Sequence, residues 1–261
     1  MLIDRNIYSQ LVKISDRPDR TDMEADKLWL RFLNSSRFGL DTVMCASEGR
    51  TKTPPTFDQF FAEANRISSE LKTLLPRARI FQHKPEMLGQ LFEVVQSFAR
   101  DNTKYAIFLG EIAPLLASPV KIGAEADIEQ IIVNCARKLQ LRLYSSVVLA
   151  ALSCLYEIGS ESNNSIGRGV LKPKPNYSEQ DAHNALSDIN SLEFLARTAG
   201  ILGDKVGFCT RDRDLARFWV NLKVSDPIWK GDEFSAALSP QQQLFPRLSA
   251  KEVERLLGRL L

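Results

Sequence analysis

Carboxylates placed directly behind short apolar runs are the residues of this chain with the most chemistry to offer. Asp4 follows Met1-Leu2-Ile3, and Asp212 follows Val206-Gly207-Phe208-Cys209-Thr210, with Asp214 close behind. Such runs read as buried strands, and in open α/β sheets ligands and ions collect at the carboxyl ends of the strands. Asp181 and Asp188 lie on one face of a predicted helix about two turns apart, with Asn184 between them. Glu48 closes the apolar stretch Leu40 to Ser47. Carboxylates that converge without a basic partner repel one another unless a divalent cation sits between them. A metal-dependent reaction is therefore the leading reading. Hard cations such as Mg²⁺ or Mn²⁺ prefer oxygen ligands and acidify a bound water. No histidine base is needed, which suits a chain with only His83 and His183. Taken one at a time, Asp212, Asp214 and Asp181 each read better as helix N-caps. Arg5, Arg211 and Arg213 flank the acids. They are either ion-pair partners within the cluster or contacts to the phosphates of a substrate.

The elements that must position these side chains are mostly helices. Met1 to Ile3 predicts a short strand and Asn6 to Ile14 a helical turn or two. Met23 to Leu33, Phe57 to Leu75, Glu86 to Ala99, Ile107 to Leu116, Ala124 to Leu139 and Leu143 to Tyr156 carry helix periodicity. Leu40 to Ser47 reads as the second half of a helix, and Thr51 to Thr56, with its double proline, as a breaker. Gly159 to Tyr177 reads as a loop carrying Arg168, Lys172 and Lys174, either a solvated linker or a mobile basic strap over a polyanion. Ser178 with Asp181 opens a helix to about Thr198. Val206 to Thr210 predicts a strand and Asp212 to Leu222 a helix, and Asp226-Pro227 breaks the chain. Ser249 to Glu252 is a capping box before an amphipathic last helix, docked on the core or offered to a partner or second copy.

Composition narrows the class. The chain has 261 residues, 44% hydrophobic and 25% charged, which fits a globular protein of one large or two small domains. A net charge of +2 gives no global basic field, so any nucleic-acid contact must be local. Cys45, Cys135, Cys154 and Cys209 form no C-x-x-C pair and read as reduced, buried thiols of a cytoplasmic protein rather than zinc ligands. Asp4 and Arg5 interrupt the first apolar run, which excludes a secretory signal, and Val147 to Leu155 is too short to span a bilayer, so no membrane role is expected.

The order Asp4-Arg5-Asn6, Glu48, Ala185-Leu186-Ser187-Asp188-Ile189 and Thr210-Arg211-Asp212-Arg213-Asp214 resembles the PIN-domain ribonucleases, with Arg5 where that family usually has threonine. The resemblance covers roughly residues 1–50 and 178–222. It implies a three-layer α/β fold with a central parallel sheet. The discontinuous core would be 1–55 with 178–223, interrupted by a helical insertion, 56–177, and followed by a tail, 224–261. It also implies Asp4, Glu48, Asp188 and Asp212 as catalytic metal ligands. Asn6 and Thr210 would be orienting groups, and Asp214, Asp181 and Asn184 supporting ones. The implied activity is a Mg²⁺- or Mn²⁺-dependent endoribonuclease of toxin or defence type acting on RNA or DNA. The alternative is an inactive module of the same fold that engages a protein partner. A metal-dependent phosphatase is less favoured, because Asn6 stands where an Asp-x-Asp nucleophile signature needs its second acid.

Overall fold

The computed structural model describes residues 1–16, 24–48, 55–158, 165–231 and 233–261. Its chain divides into two compact units. Unit 1 is Met1–Ser97 with Ile201–Asp212, and unit 2 is Phe98–Gly200 with Arg213–Leu261.

Unit 1 begins with β1 (Leu2–Ile3), α1 (Arg5–Asp16), α2 (Glu24–Leu33), β2 (Gly39–Leu40), α3 (Val43–Glu48), α4 (Phe57–Leu74) and β3 (Arg79–Ile80). It ends with β4 (Phe208–Cys209). All its strands are two residues long. β1 pairs parallel with β4, and β2 parallel with β3. A single parallel bridge, Leu2 to Asp41, links the two pairs, with Ile3 N–H donating to Asp41 O at 3.1 Å and Asp41 N–H to Met1 O at 2.9 Å. The core includes Ile3, Leu40 and Cys209 from the strands, packed on Ile7, Tyr8 and Leu11 of α1 and Ile67 and Leu71 of α4, with Leu33, Cys45 and Leu75. The apolar residues of α1 and α4 recur at three- and four-residue spacing, so each helix buries one stripe against the strands. α4 starts at a capping box, in which Gln59 N–H donates to Thr56 Oγ1 at 3.3 Å and Thr56 N–H to Gln59 Oε1 at 2.9 Å.

α5 (Pro85–Ile112) carries the chain into unit 2, and the boundary falls within it. There follow α6 (Glu125–Lys138), α7 (Ser146–Leu155), α8 (Ile166–Leu171), α9 (Glu179–Leu202), α10 (Arg213–Leu222), the hairpin β5 (Val224–Lys230) with β6 (Glu233–Leu238), and α11 (Ala250–Leu260). Val147 to Leu155 of α7 are all buried, as expected of a helix that is apolar on all sides. Beside it Glu157, 1% exposed, is forked by Arg168 and also accepts from the Ser165 hydroxyl. Arg168 Nη1 donates to Ala117 O at 3.1 Å as well. Exposed Arg259 pairs α11 with Glu129 at 2.7 Å, and the Tyr156 hydroxyl donates to the same carboxylate. No helix among the described residues is long and apolar enough to cross a membrane.

The three-layer α/β fold with a central parallel sheet is overturned. The protein is mostly helical, and its strands lie in two-stranded pairs. The apolar runs that were read as strands contribute only two ladder residues each before a polar residue starts a helix or a turn. Leu40 to Ser47 is not a half-helix: β2 ends at Leu40 and α3 starts at Val43, because Asp41 Oδ1 accepts Val43 N–H at 3.0 Å and turns the chain between them. Within the expected loop 159–177, residues 159–164 lie outside the described residues, but Ile166–Leu171 is helical and its Arg168 is committed to Glu157. Asp226-Pro227 does not end ordered structure. Asp226 takes φ of +50° at a register shift inside the β5–β6 hairpin, which lets the strand pass over the proline.

Candidate active site

Asp4 stands where β1 ends and α1 begins. Its carbonyl accepts Ile7 N–H and Tyr8 N–H at 3.1 and 3.2 Å, and its carboxylate receives the first backbone N–H groups of α1, from Arg5 and Asn6. It therefore caps α1, with the partial positive charge of the helix start behind it. The same carboxylate is only 8% exposed. Asn6 Nδ2 donates to its Oδ2 at 2.6 Å and the Thr210 hydroxyl to the same atom at 2.7 Å. Thr210 Oγ1 in turn accepts Asp212 N–H at 3.0 Å and Asn6 Nδ2 at 3.1 Å, while Asn6 Oδ1 accepts Arg211 N–H at 3.2 Å. The backbone completes the arrangement, with Asp4 N–H donating to Cys209 O at 2.9 Å. The two sequence motifs, more than 200 residues apart, thus close on each other as one hydrogen-bonded unit.

Burial raises the Asp4 pKa first of all, and the negative charge of Asp212 raises it further; the Thr210 hydroxyl and the helix N–H groups oppose this. The neighbouring cation does not neutralise it. Arg5 turns away, donating to Cys45 O at 2.8 Å and to Glu63 Oε1 at 3.2 Å. Glu48, the last residue of α3, belongs to the same surroundings: its charge acts on the buried Cys45 thiol together with those of Asp4 and Asp41. Arg211 Nη1 donates to Asp26 Oδ1 at 2.9 Å.

The remaining candidates lie in unit 2. Asp188 is 3.7 Å from Lys172 Nζ. Asp181 accepts from the Ser178 N–H and hydroxyl at 2.9 and 2.6 Å and lies 2.9 Å from Lys174. The Ser178 hydroxyl, with Lys174, holds its carboxyl down at about 2, so it is a charged helix cap. Asn184 and Arg213 are exposed. Asp214 packs against Gly169, where any side chain would strike its carboxylate. Within unit 2 Asp188 is paired with Lys172; within unit 1 Asp4, Asn6, Thr210 and Asp212 are gathered in one place.

Two side chains passed over in the sequence belong to unit 1's strand exits. Asp41 follows β2 and His83 follows β3, and His83 Nε2 lies 2.9 Å from Asp41 Oδ2. Asp41 had the same signal as Asp4, an acid straight after an apolar pair, hidden because Leu40 to Ser47 looked helical. Asp26, 8% exposed, accepts from Gln10 and Arg211, and nothing local in the sequence marks it.

The donor set can be weighed against a divalent cation. Among the described residues, no three His, Cys, Asp or Glu side chains are grouped so as to hold a metal. Asp4 and Asp212 nevertheless form a pair of oxygen donors close enough for one charge to raise the other's pKa. Mg²⁺ is commonly held by one or two carboxylates, its other positions taken by waters and substrate phosphate. A pair fits that chemistry. Comparison with protein-family models, with curated proteins and with solved structures finds no match to this chain.

Proposed function

We propose that the strand-exit edge of unit 1 hydrolyses phosphodiesters of RNA, with Asp4 and Asp212 holding a Mg²⁺ or Mn²⁺ ion. The observation that carries this reading is the Asp4–Thr210–Asn6–Asp212 network. It holds a buried carboxylate with neutral donors while a second carboxylate raises its pKa, and the guanidinium of the adjoining Arg5 is committed to Cys45 O and Glu63. A site that keeps negative charge at such a cost is suited to a positive ligand. When bound, the ion supplies an acidified water and charge stabilisation on the phosphate. Asn6 and Thr210 both donate to Oδ2 and so fix the orientation of the Asp4 carboxylate. Thr210 also orients the backbone at Asp212. Glu48 adds negative charge at the same edge.

The test is a calorimetric Mn²⁺ titration joined to cleavage of a single-stranded RNA oligonucleotide and its DNA counterpart. The wild type should bind the ion and cut RNA only in its presence. Asp4→Asn and Asp212→Asn should each lose binding heat and at least about 10²-fold in rate. Affinity should fall as the pH is lowered through the Asp4 pKa, which lies above the ordinary carboxylate value, because the proton and the metal compete for one group. A wild type that neither binds the ion nor cuts RNA would sink the reading.

A further inference from the structure

We propose that His83 and Asp41 form an acid–base dyad for the same reaction, His83 giving its proton to the leaving oxygen as the phosphodiester breaks. The inference rests on the phosphodiester-hydrolysis reading and adds a chemical group that reading does not use. In the balanced step, water oxygen bonds to phosphorus and the P–O ester bond breaks. The departing oxygen takes the imidazolium proton, and the proton lost by the attacking water passes to solvent, from which His83 is recharged.

Position comes first. β1, β2 and β3 run parallel and adjacent, joined by the Leu2–Asp41 bridge and the β2–β3 pairing, so their carboxyl ends share one edge. At about 4.8 Å between neighbours, the exits of β1 and β3 lie on the order of 10 Å apart. Asp4 leaves the first, Asp41 the second and His83 the third.

Geometry within the pair comes next. Asp41 Oδ1 is fixed by Val43 N–H at the start of α3, and its Oδ2 is 2.9 Å from His83 Nε2. The carboxylate therefore orients the ring, as it does in the acid–base pairs of many hydrolases. The side chains are 17% and 21% exposed, open enough to exchange protons with solvent. Asp41 is the charged group that faces His83, and it also faces the Met1 ammonium. Its hydrogen bond raises the His83 pKa above 6.5, against a smaller opposing effect of burial. The ring accordingly stays protonated further into the neutral range, as a proton donor requires.

A third feature points to the substrate. Phe81, 51% exposed, stacks on His83 with ring centroids 6.3 Å apart and planes 17° from parallel. Gly39 permits this, because a Cβ there would run into the Phe81 ring. An open aromatic face beside a proton donor suits an unpaired base next to the scissile phosphate, so the substrate class is single-stranded RNA.

The experiment compares two substrates with Mn²⁺ present: a single-stranded RNA oligonucleotide, whose leaving oxygen needs a proton, and bis(p-nitrophenyl) phosphate, whose leaving group does not. His83→Gln should lose about 10²–10⁴-fold on RNA and less than about 10-fold on the activated ester. Wild-type kcat/KM on RNA should fall as pH rises through the His83 pKa. That alkaline limb should vanish in His83→Gln and move to lower pH in Asp41→Asn, while the Mn²⁺ titration heat is retained in both. Equal losses on both substrates, or none, with the wild type active, would overturn the dyad and leave the metal site standing. A wild type inert toward both would overturn the two together.

Discussion

Arg5 and Arg168 carry the same lesson at the scale of single residues. Both were legible as cations beside functional segments, and both are spent on acids. Arg5 donates to Cys45 O and Glu63, and Arg168 to Glu157 and Ala117 O. Which partner an arginine takes is decided by tertiary geometry over tens of residues, and no local pattern records it. Asp4 was legible because a carboxylate after an apolar run has few innocent places to go. Its capping of α1 was not anticipated, since α1 starts one residue earlier in unit 1 than its periodicity announces. The Arg168 contact has a measurable energetic consequence. Arg168→Met would leave Glu157 charged and 1% exposed, with the Ser165 hydroxyl as its remaining donor. Breaking such a pair costs about 3–5 kcal/mol, and adding Glu157→Leu should restore much of it. Urea unfolding of the single and double variants reads both numbers; a single-variant loss below about 1 kcal/mol would show that the pair is solvated.

At the scale of elements, helix starts were written in the sequence, while strands and close packings were not. Ser178 with Asp181 and Ser249 with Glu252 make the reciprocal bonds that their spacing promises. The strands misled because two ladder residues suffice when helices on either side supply the burial, so the apolar run overstates the strand. α8 was hidden inside a segment rich in Gly and Asn. There the glycines serve packing rather than flexibility: a Cβ on Gly167 would sit 2.5 Å from Ala150 O and 2.7 Å from Cys154 N of α7. Gly167→Ala should therefore cost about 1–3 kcal/mol. Gly110, in α5 with nothing within 4 Å of its added Cβ, offers the contrast. Gly110→Ala should stabilise by about 0.4–1 kcal/mol through the unfolded chain's entropy. Thermal melts of the two variants should move in opposite directions, and a common direction would contradict this account of α8.

At the scale of the whole molecule, the chain enters unit 2 at residue 98, returns to unit 1 for residues 201–212 and leaves again. The bounds expected from the resemblance, at 55, 178 and 223, follow short motifs, whereas compact units are set by contacts that no short motif records. The return segment brings β4 to β1, and with it Thr210 to Asp4, across a separation of 206 residues. During synthesis, Leu2 and Ile3 are made early and then wait for their partner. At about 5–20 residues per second that wait is roughly 10–40 s. Ribosome-stalled chains ending before Gly207 should bind no Mn²⁺ and cut no RNA, whereas the released chain should do both. Activity in the stalled chain would mean that Asp4 does not need β4. If the protein is a nuclease, its late-closing first strand keeps the nascent chain harmless to the ribosome and message that are making it.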